Sequence, residues 1–420
     1  MNVNKIYLCI DLKTFYASVE CVERNLDPFQ THLVVADPSR GKGALCLAVS
    51  PRMKQLGVRN RCRLFEIPKD IQYEIALPRM NLYMEYSAHI YSIYLQYVSH
   101  DDIHVYSIDE CFIDVTPYLH LYQLTAEQLA KKIINDVYQQ TGITATVGIG
   151  TNLYLAKIAL DITAKHVKDN IGYLDEELYQ RTLWYHTPLT DFWQIGKGIQ
   201  KRLSHHGIYD MYDIAHCDEN ILYQEFGVNA EYLIDHAWGF EPTTIADIKK
   251  YEPQSHSVSN SQILFEDYCY KDALLVLKEM VELNVLTLIE RHLVCDCIAL
   301  YVGYSKDVRK ATGGQRKLTT RTNSLKILMN EFIDLFQQKT SHDDPIRQIS
   351  LSFGNVVDEK YESYDLFTDY ESLAKEKRLQ QAFIEIQHKY GKNAVLKGMN
   401  YFDKATTRKR NLLVGGHNAQ

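Results

Sequence analysis

The chain has 420 residues, more than the roughly 250 to 300 at which a single hydrophobic core stops growing, so we expect several domains. Its 46% hydrophobic and 24% charged residues are those of an ordinary soluble globular protein. The net charge of −7 argues weakly against a nucleic-acid partner.

Membrane and secretion signals are missing from the sequence. No apolar run is long enough to span a bilayer, and the N-terminal KIYLCI is too short for the core of a signal peptide. The nine cysteines are scattered and form no CxxC pair. We therefore expect a cytoplasmic protein with reduced thiols, without structural zinc and without a membrane partner.

Strands and helices alternate over the first 172 residues. KIYLCID is predicted to be a strand that ends at Asp11, and a helical pattern follows it. HLVVAD and ALCLAVS are predicted strands, and helical spacing over residues 79–97 leads into the hairpin HVYSIDECFIDVT. A helix over 126–138, the strand ITATVGIG and an amphipathic helix over 153–165 complete a mixed α/β domain.

The pattern changes after about residue 172. Residues up to 240 are predicted to be helical and contain QIGKGIQKRL, and the polar stretch 242–257 is typical of an exposed linker. Residues 258–356 give a second α/β unit. We interpret the remainder as a partly ordered, polar tail.

Basic residues are concentrated in two segments of this acidic chain. A solvated face is the simplest explanation for either segment alone, but together they favour local binding of a polyanion. The first segment contains Arg52, Lys54, Arg59, Arg61, Arg63 and Lys69. The second contains Lys306, Arg309, Lys310, Arg316, Lys317, Arg321 and Lys326.

Two adjacent carboxylates, Asp109 and Glu110, interrupt an otherwise apolar predicted strand pair. Neighbouring residues of a regular strand point to opposite faces, so these two can share a site only where the strand bends. If Asp11 joins them at one sheet edge, the three charges repel one another and need cations, for which Mg²⁺ with its oxygen ligands is suitable. The alternative is a salt-bridged or edge-exposed pair.

Four segments resemble, in order and spacing, the Y-family translesion DNA polymerases, most closely the UmuC-like branch of bacteria: DLKTFYASVE, YSIDECFIDVT, TVGIGTNLYLAKIALDITAK and QIGKGIQKRL. The likeness spans nearly the whole chain. It implies an α/β (α+β) multidomain fold shaped like a right hand, with a ferredoxin-like palm, small fingers, a helical thumb with a helix-hairpin-helix and an α/β little finger.

The resemblance also implies domain limits. They are residues 1–11 and 81–172 for the palm, 12–80 for the fingers, 173–241 for the thumb, 242–257 for the linker, 258–356 for the little finger and 357–420 for the tail.

The resemblance implies a template-directed DNA polymerase of low fidelity that copies damaged DNA. By this likeness Asp11, Asp109, Glu110 and the backbone carbonyl of Leu12 hold two Mg²⁺ ions. Two metals roughly 3.5 to 4 Å apart stabilise both the attacking and the leaving oxygen of a phosphoryl transfer. The substrates are primer-template DNA and deoxynucleoside triphosphates.

Contacts to the incoming nucleotide follow from the same likeness. Tyr16 matches the steric gate that excludes a 2′-hydroxyl, with Phe15 beside it, although an ordinary helix-face tyrosine is the alternative. Lys54 and Lys165 match the triphosphate-binding cations. The chain departs from the commoner pattern, because Pro51 and Lys54 replace a tyrosine and an arginine, so a hydroxyl donor and a bidentate fork are lost.

Lys157 allows two interpretations, a further phosphate or DNA ligand and a lysine on a helix surface. The turn formed by Gly196, Lys197 and Gly198 matches a helix-hairpin-helix that binds a DNA phosphate through its backbone. The basic segment of the little finger should bind the DNA backbone in a salt-dependent way. Its predicted DNA-binding residues are Lys306, Arg309, Arg316, Lys317 and Arg321.

The tail contains SYDLF, which is similar to the peptides by which such polymerases dock on the sliding clamp. Leu366 and Phe367 are the predicted anchors, whereas Ser363 and Tyr364 replace the usual glutamine and leucine. Accessory proteins of the UmuD or recombinase type are further possible partners.

Two other classes of protein remain as alternatives. A non-catalytic regulator could occupy primer ends or the clamp, but the intact carboxylates argue against it. A nucleotide cyclase shares paired carboxylates on a hairpin, but it leaves the thumb-like turn and the second α/β unit unexplained. No exonuclease segment is apparent, so we expect no proofreading.

Overall fold

A computed structural model describes residues 5–253, 256–366 and 369–420, without the side chain of His166. The chain divides into two compact units, Met1–Tyr251 with His417–Gln420, and Glu252–Gly416. The division falls inside the predicted linker. In the described ranges, none of the helices combines the length and the apolar character needed to cross a bilayer.

The first unit contains both predicted kinds of element. Its strands are β1 Tyr7–Leu12, β2 Leu33–Val35, β3 Ala48–Val49, β4 Glu74–Ala76, β5 Ile103–Val105, β6 Glu110–Asp114, β7 Ala145–Gly150 and β8 Ile171–Leu174. Its α-helices are α1 Phe15–Glu23, α2 Pro51–Gln55, α3 Met80–Tyr94, α4 Thr116–Tyr122, α5 Ala126–Thr141, α6 Leu153–Ile158, α7 Glu176–Leu183, α8 Lys197–Ser204, α9 Met211–His216, α10 Glu219–Phe226, α11 Ala230–Trp238 and α12 Ile245–Lys250.

A five-stranded sheet in the order β5-β6-β1-β7-β8 forms the centre of the first unit. Its strands pair antiparallel except for β7 and β8, which are parallel. The central strand β1 is almost wholly apolar, and Leu8 and Ile10 are fully buried. Helix α6 packs on β1 and β7, and α5 also packs on β7. The predicted mixed α/β fold is confirmed.

Helix α6 lies unusually close to the sheet. A Cβ atom added at Gly148 would lie 2.0 Å from the carbonyl oxygen of Ala156, and one added at Gly150 would lie 2.1 Å from its nitrogen. Only glycine permits this approach. The helix predicted over 153–165 is not uniform, because a π-helical turn follows α6 over Ala159–Thr163.

The strands predicted for the fingers are shorter than their apolar runs suggest. HLVVAD contributes the three residues of β2 and ALCLAVS the two of β3, and these join β4 in a small sheet of order β3-β2-β4. Helices α7 to α11 pack around a core that includes Tyr179, Phe192 and Leu203 and that they share with α6 and β8.

Part of the predicted exposed linker is instead a helix that packs on the first unit. Thr244 and Asp247 form a capping box at the start of α12, which stabilises the first turn. Ile245 is buried in the cluster that contains Cys9 and Phe112. The capping box and the burial of Ile245 explain why this segment is an ordered helix although its composition is that of a linker.

The second unit contains the remaining elements apart from the last strand, which belongs to the first unit. Its strands are β9 Val258–Tyr268, β10 Leu293–Tyr304, β11 Thr312–Thr322, β12 Ile346–Gly354 and β13 Val357–Asp358. Its helices are α13 Tyr270–Glu290, α14 Leu325–Lys339, α15 Tyr370–Tyr390 and α16 Thr407–Arg410. Two short strands, β14 Leu413–Val414 and β15 His417–Asn418, follow near the C-terminus. The main sheet has the order β11-β10-β12-β9, and α13 and α14 share its core.

The interpretation of the C-terminal residues as a partly ordered tail is wrong for most of them. Helix α15 has 21 residues and packs on α13. Asn400 and Thr406 are buried and donate hydrogen bonds to the buried carboxylate of Glu279 on α13. These long-range contacts order the segment, and they are not visible in its polar composition.

Candidate active site at the carboxylate edge of the first sheet

Asp11 and Glu110 lie opposite each other at the edge of the sheet. They are partners in the antiparallel register of β1 and β6, so their side chains lie on the same face. Asp109 belongs to the turn before β6, where the N–H of Tyr106 donates to the carbonyl of Glu110 at 2.9 Å and that of Leu12 to the carbonyl of Asp109 at 2.9 Å. Because the chain bends at Asp109, the two adjacent carboxylates need not lie on opposite faces of the sheet.

The carboxylate of Asp11 is partly buried beside other negative charges. Burial, followed by the carboxylates of Asp109 and Glu110, raises the pKa of Asp11 to about 7. The Asp11 carboxylate accepts no hydrogen bond and forms no ion pair within the described residues, whereas Asp109 accepts from Ser107 Oγ at 2.6 Å. A partly buried, unpaired carboxylate of this kind is suited to binding a cation.

Glu110 is paired with a buried lysine. Lys157 Nζ lies 2.7 Å from Glu110 Oε1 and 3.1 Å from Asp161 Oδ2, and the Cys9 thiol donates to the same Oε1 at 3.2 Å. Burial lowers the pKa of Lys157, but Cys9, Glu110 and Asp161 outweigh it, so that pKa lies above its ordinary value. The interpretation of Lys157 as a lysine on a helix surface is wrong, because it is buried and pairs with two carboxylates.

The donor set fits a hard divalent cation in its chemistry. Asp11, Asp109 and Glu110 supply oxygen ligands of the kind that Mg²⁺ prefers. Within the described residues, however, no three His, Cys, Asp or Glu side chains are gathered closely enough to hold a metal ion. At this edge the Glu110 carboxylate instead pairs with Lys157.

Tyr16 lies beside the carboxylates and on a rigid support. Its ring stacks on Tyr83 with centroids 4.5 Å apart, and the Tyr83 hydroxyl donates to the buried Glu20 at 2.7 Å. Burial and then Asp109 raise the pKa of Tyr16, so the hydroxyl is close to the site. Phe15 is 2% exposed, and its side chain belongs to the core.

Lys13 and Lys54 lie near Asp11, and Lys165 lies near Lys54. Burial lowers the pKa of Lys54. Its neighbour Asp11 raises this pKa and Lys165 lowers it. Lys165 is exposed. Lys13 was missed by the sequence analysis. Burial lowers the pKa of Lys13, Asp11 raises it and Lys54 lowers it. Its place in DLK, two residues after Asp11, was the available signal.

A strained turn connects β1 to α1. Thr14 adopts the left-handed conformation with φ of 46°, which is unusual for a β-branched residue. No side chain caps the N-terminus of α1. Backbone N–H groups there remain available to an anion close to Asp11.

The predicted helix-hairpin-helix turn coincides with the start of α8, since Lys197 and Gly198 are its first two residues. Gln194 has φ of 70°, and Gly196 is the extended N-cap residue of the helix. Cβ atoms added at Gly196 and Gly198 would meet no atom within 4 Å, so the protein itself does not require glycine at either position. Lys197 is exposed.

Arg316 lies on the helix side of the second unit's sheet. It lies two residues before the buried Leu318 on β11, so the two side chains lie on the same face of the sheet. Its guanidinium pairs with Glu331 at 2.6 Å and donates to Gln338 at 3.2 Å, both on α14.

The other predicted DNA-binding residues of this unit differ in their partners. Arg309 pairs with Asp344 at 3.0 Å, and Arg321 lies 3.5 Å from Asp296. Two exposed lysines form no ion pair within the part of the chain that the structure describes: Lys306 and Lys317.

Leu366, the first predicted clamp anchor, is 99% exposed. Phe367, the second, lies outside the described residues. Ser363 is fixed on the N-terminal side of the peptide, because its N–H donates to the carbonyl of Arg321 and its hydroxyl accepts from the Arg321 N–H at 2.7 Å.

Comparison with known proteins identifies the family. Residues 10–161 match the impB/mucB/samB family, and residues 255–366 match the C-terminal domain of that family. The putative UV-damage repair protein UvrX of Bacillus subtilis is 32% identical, over 98% of this chain and 97% of its own length. A protein named DNA polymerase IV 2, also from Bacillus subtilis, is 28% identical, over 99% of this chain and all of its own length.

A solved structure supports the fold. A Y-family DNA polymerase chimera superposes with a TM-score of 0.63 at 21% identity, covering 84% of this chain and 99% of the chimera. Together with the two family matches and the full-length similarity to UvrX, this agreement shows that the chain belongs to the impB/mucB/samB family and is a Y-family translesion DNA polymerase.

Proposed function

We propose that Asp11, Asp109 and Glu110 carry the polymerase reaction, with the Leu12 carbonyl as a further ligand. Membership of the family implies the use of divalent metal in general, and we assign two Mg²⁺ ions to these residues. Bound there, the ions would activate the primer 3′-hydroxyl and neutralise the triphosphate. The observation that carries the proposal is the unpaired, partly buried Asp11 carboxylate opposite Glu110 in the strand register.

The strand-to-helix turn after Asp11 would bind the nucleotide. The ring of Tyr16 would close the space at the sugar C2′ position, and its stacking on Tyr83 would keep it from yielding to a ribonucleotide. The triphosphate would lie on the uncapped N-terminus of α1, near Lys54 and Lys165. Lys13 joins this set because Asp11 and Lys54 both act on its pKa.

Two regions would bind the DNA backbone. The turn of Gly196, Lys197 and Gly198 would donate backbone N–H groups to a phosphate. In the second unit, Lys306 and Lys317 are better placed than Arg316, whose charge is already neutralised by Glu331. Arg309 and Arg321 would have to exchange an acidic partner for a phosphate. Binding through either region should weaken as salt rises.

Leu366 and Phe367 would dock on the sliding clamp, and UmuD-like or recombinase proteins would be further partners. Because Leu366 is fully exposed, Leu366→Ala should leave the melting temperature unchanged. Clamp-stimulated primer extension should fall at least about tenfold, while extension without clamp stays constant. Equal loss of both activities would contradict docking through this residue.

Primer extension across an abasic site, with and without clamp, tests the proposed function. A low-fidelity polymerase extends past the lesion in Mg²⁺ and does so better with clamp. A regulator of primer ends would bind the DNA without extending it. A nucleotide cyclase would release pyrophosphate from a triphosphate without any primer.

A further inference from the structure

The contacts of Glu110 fall on one of its two carboxylate oxygens. Lys157 Nζ, at 2.7 Å, and the Cys9 thiol, at 3.2 Å, both reach Oε1. Within the described residues, no hydrogen bond or ion pair reaches Oε2. The ammonium group therefore occupies the place of a cation at a carboxylate that the proposed function assigns to metal.

The fold fixes Lys157 in this position. Gly148 and Gly150 let α6 approach β7 so closely that any side chain there would overlap the helix backbone. This approach helps to carry Lys157 over β1 to Glu110 on the next strand, and the lysine is only 7% exposed. A lysine buried in this way cannot lose its partner without a large desolvation cost.

Asp161 gives the same lysine a second partner. It lies four residues further along, in the π-helical turn, with Oδ2 3.1 Å from Lys157 Nζ. Its side chain is 29% exposed, so it is more solvated than that of Glu110, which is 10% exposed. If Glu110 turns away, Asp161 still neutralises the ammonium group, which lowers the cost of the exchange.

We propose that Lys157 is a positioning residue that competes with a divalent cation for Glu110, and that Asp161 retains the lysine when Glu110 turns to the cation. The inference rests on the proposed function, in which Glu110 is a cation ligand. Its consequence is that the lysine limits cation binding to the carboxylates until further ligands, such as triphosphate oxygens, are present.

Substitutions at Lys157 and Asp161 should shift the Mn²⁺ affinity in opposite directions. Manganese binding to the full chain, without DNA or nucleotide, is followed by electron paramagnetic resonance at pH 8. Lys157→Met should tighten binding, because Glu110 loses its competitor, and Asp161→Asn should weaken it, because Lys157 keeps only Glu110. Outer partners of a metal site typically change affinity by about 10- to 100-fold, and we expect shifts at the lower end.

Controls separate this inference from the function on which it rests. Lys132→Met removes an exposed lysine of the same unit and should leave Mn²⁺ affinity unchanged. Asp109→Asn should abolish the Mn²⁺ binding that the wild type shows at the carboxylates; if it does not, both the proposed metal ligands and this inference are wrong. If it does, but the two variants shift affinity in the same direction or not at all, only this inference is overturned.

The experiment remains decisive if Lys157→Met fails to fold. Thermal melts in EDTA identify that outcome, and Asp161→Asn, at a partly exposed position, then decides alone. Weaker Mn²⁺ binding with an unchanged melt supports the exchange, and unchanged binding contradicts it.

Discussion

Two glutamates, the buried Glu279 and the mostly buried Glu110, are satisfied in different ways. Glu110 in the first unit receives a single ammonium group and a thiol on one oxygen. Glu279 in the second unit receives four uncharged donors on both oxygens. They are Asn400 Nδ2 at 2.8 Å, the Thr406 N–H at 2.7 Å, the Thr406 hydroxyl at 3.1 Å and the Thr407 N–H at 3.3 Å.

The difference separates a functional carboxylate from a structural one. Backbone N–H groups and amides held by the fold cannot leave Glu279 without leaving buried donors unpaired. The ammonium group on Glu110 has a second partner in Asp161, and Oε2 of Glu110 remains available within the described residues. Burial alone therefore does not distinguish the two roles, whereas the kind and number of partners do.

The largest expected effect comes from Glu110→Gln. Because the variant removes a ligand charge, single-turnover nucleotide insertion should fall by roughly 1000-fold, or about 4 kcal/mol of transition-state stabilisation. The melting temperature should change little, since Asp161 still neutralises Lys157. Quenched-flow insertion kinetics with a parallel melt measure both. A rate within tenfold of the wild type would remove Glu110 from the catalytic set.

Asp11 makes stability depend on pH. Its pKa is about 7 in the folded chain and about 3.9 in the unfolded chain, so the folded state binds the extra proton between these values. The free energy of unfolding should therefore fall as pH rises from about 4 to 7, by up to about 4 kcal/mol, and level off above. Urea titrations in EDTA should show this decline in the wild type but not in Asp11→Asn. Equal slopes would contradict it.

Glu279→Gln should damage stability rather than chemistry. The amide cannot accept from all four donors, which leaves buried N–H groups unpaired at a cost of about 1 to 3 kcal/mol. Urea denaturation should register the loss, with increased hydrogen exchange at Thr406 and Thr407. The insertion rate per folded molecule should stay within about twofold. A catalytic loss without destabilisation would reverse the assigned roles.

The matched control for Glu279 is Glu282, on the same helix. Its carboxylate pairs with Lys397 at 2.8 Å, and that lysine is partly exposed. Glu282→Gln should therefore cost less than about 1 kcal/mol in the same titration. A cost equal to that of Glu279→Gln would show that removing any acidic group from α13 is harmful.

Local patterns predicted much of the fold and the core of the site. Asp11 was placed at a strand end, Asp109 and Glu110 in a hairpin, and Tyr16 after β1, and the structure has each of them there. The roles of these residues came from the resemblance to Y-family polymerases. The bend at Asp109 was predicted because neighbouring residues of a regular strand lie on opposite faces, and the structure has a turn there.

Other features depended on contacts between distant residues. Lys157 reaches Glu110 because two glycines let α6 approach the sheet closely. The local sequence around Lys157 shows only a lysine in a helix and does not reveal this contact. The order of the C-terminal segment depends on Glu279, more than 120 residues away from Asn400. Two signals were present but not used, the capping box of α12 and the alternation that puts Arg316 on the same face as Leu318.

The most direct test of the carboxylate edge is Asp109→Ala, with insertion and DNA affinity measured on the same samples. Asp109 is in a turn and bonded to Ser107, so its loss should not disturb the sheet. The account predicts that single-turnover insertion in Mg²⁺ disappears while the affinity for primer-template DNA stays within about threefold. Near-normal insertion would contradict it.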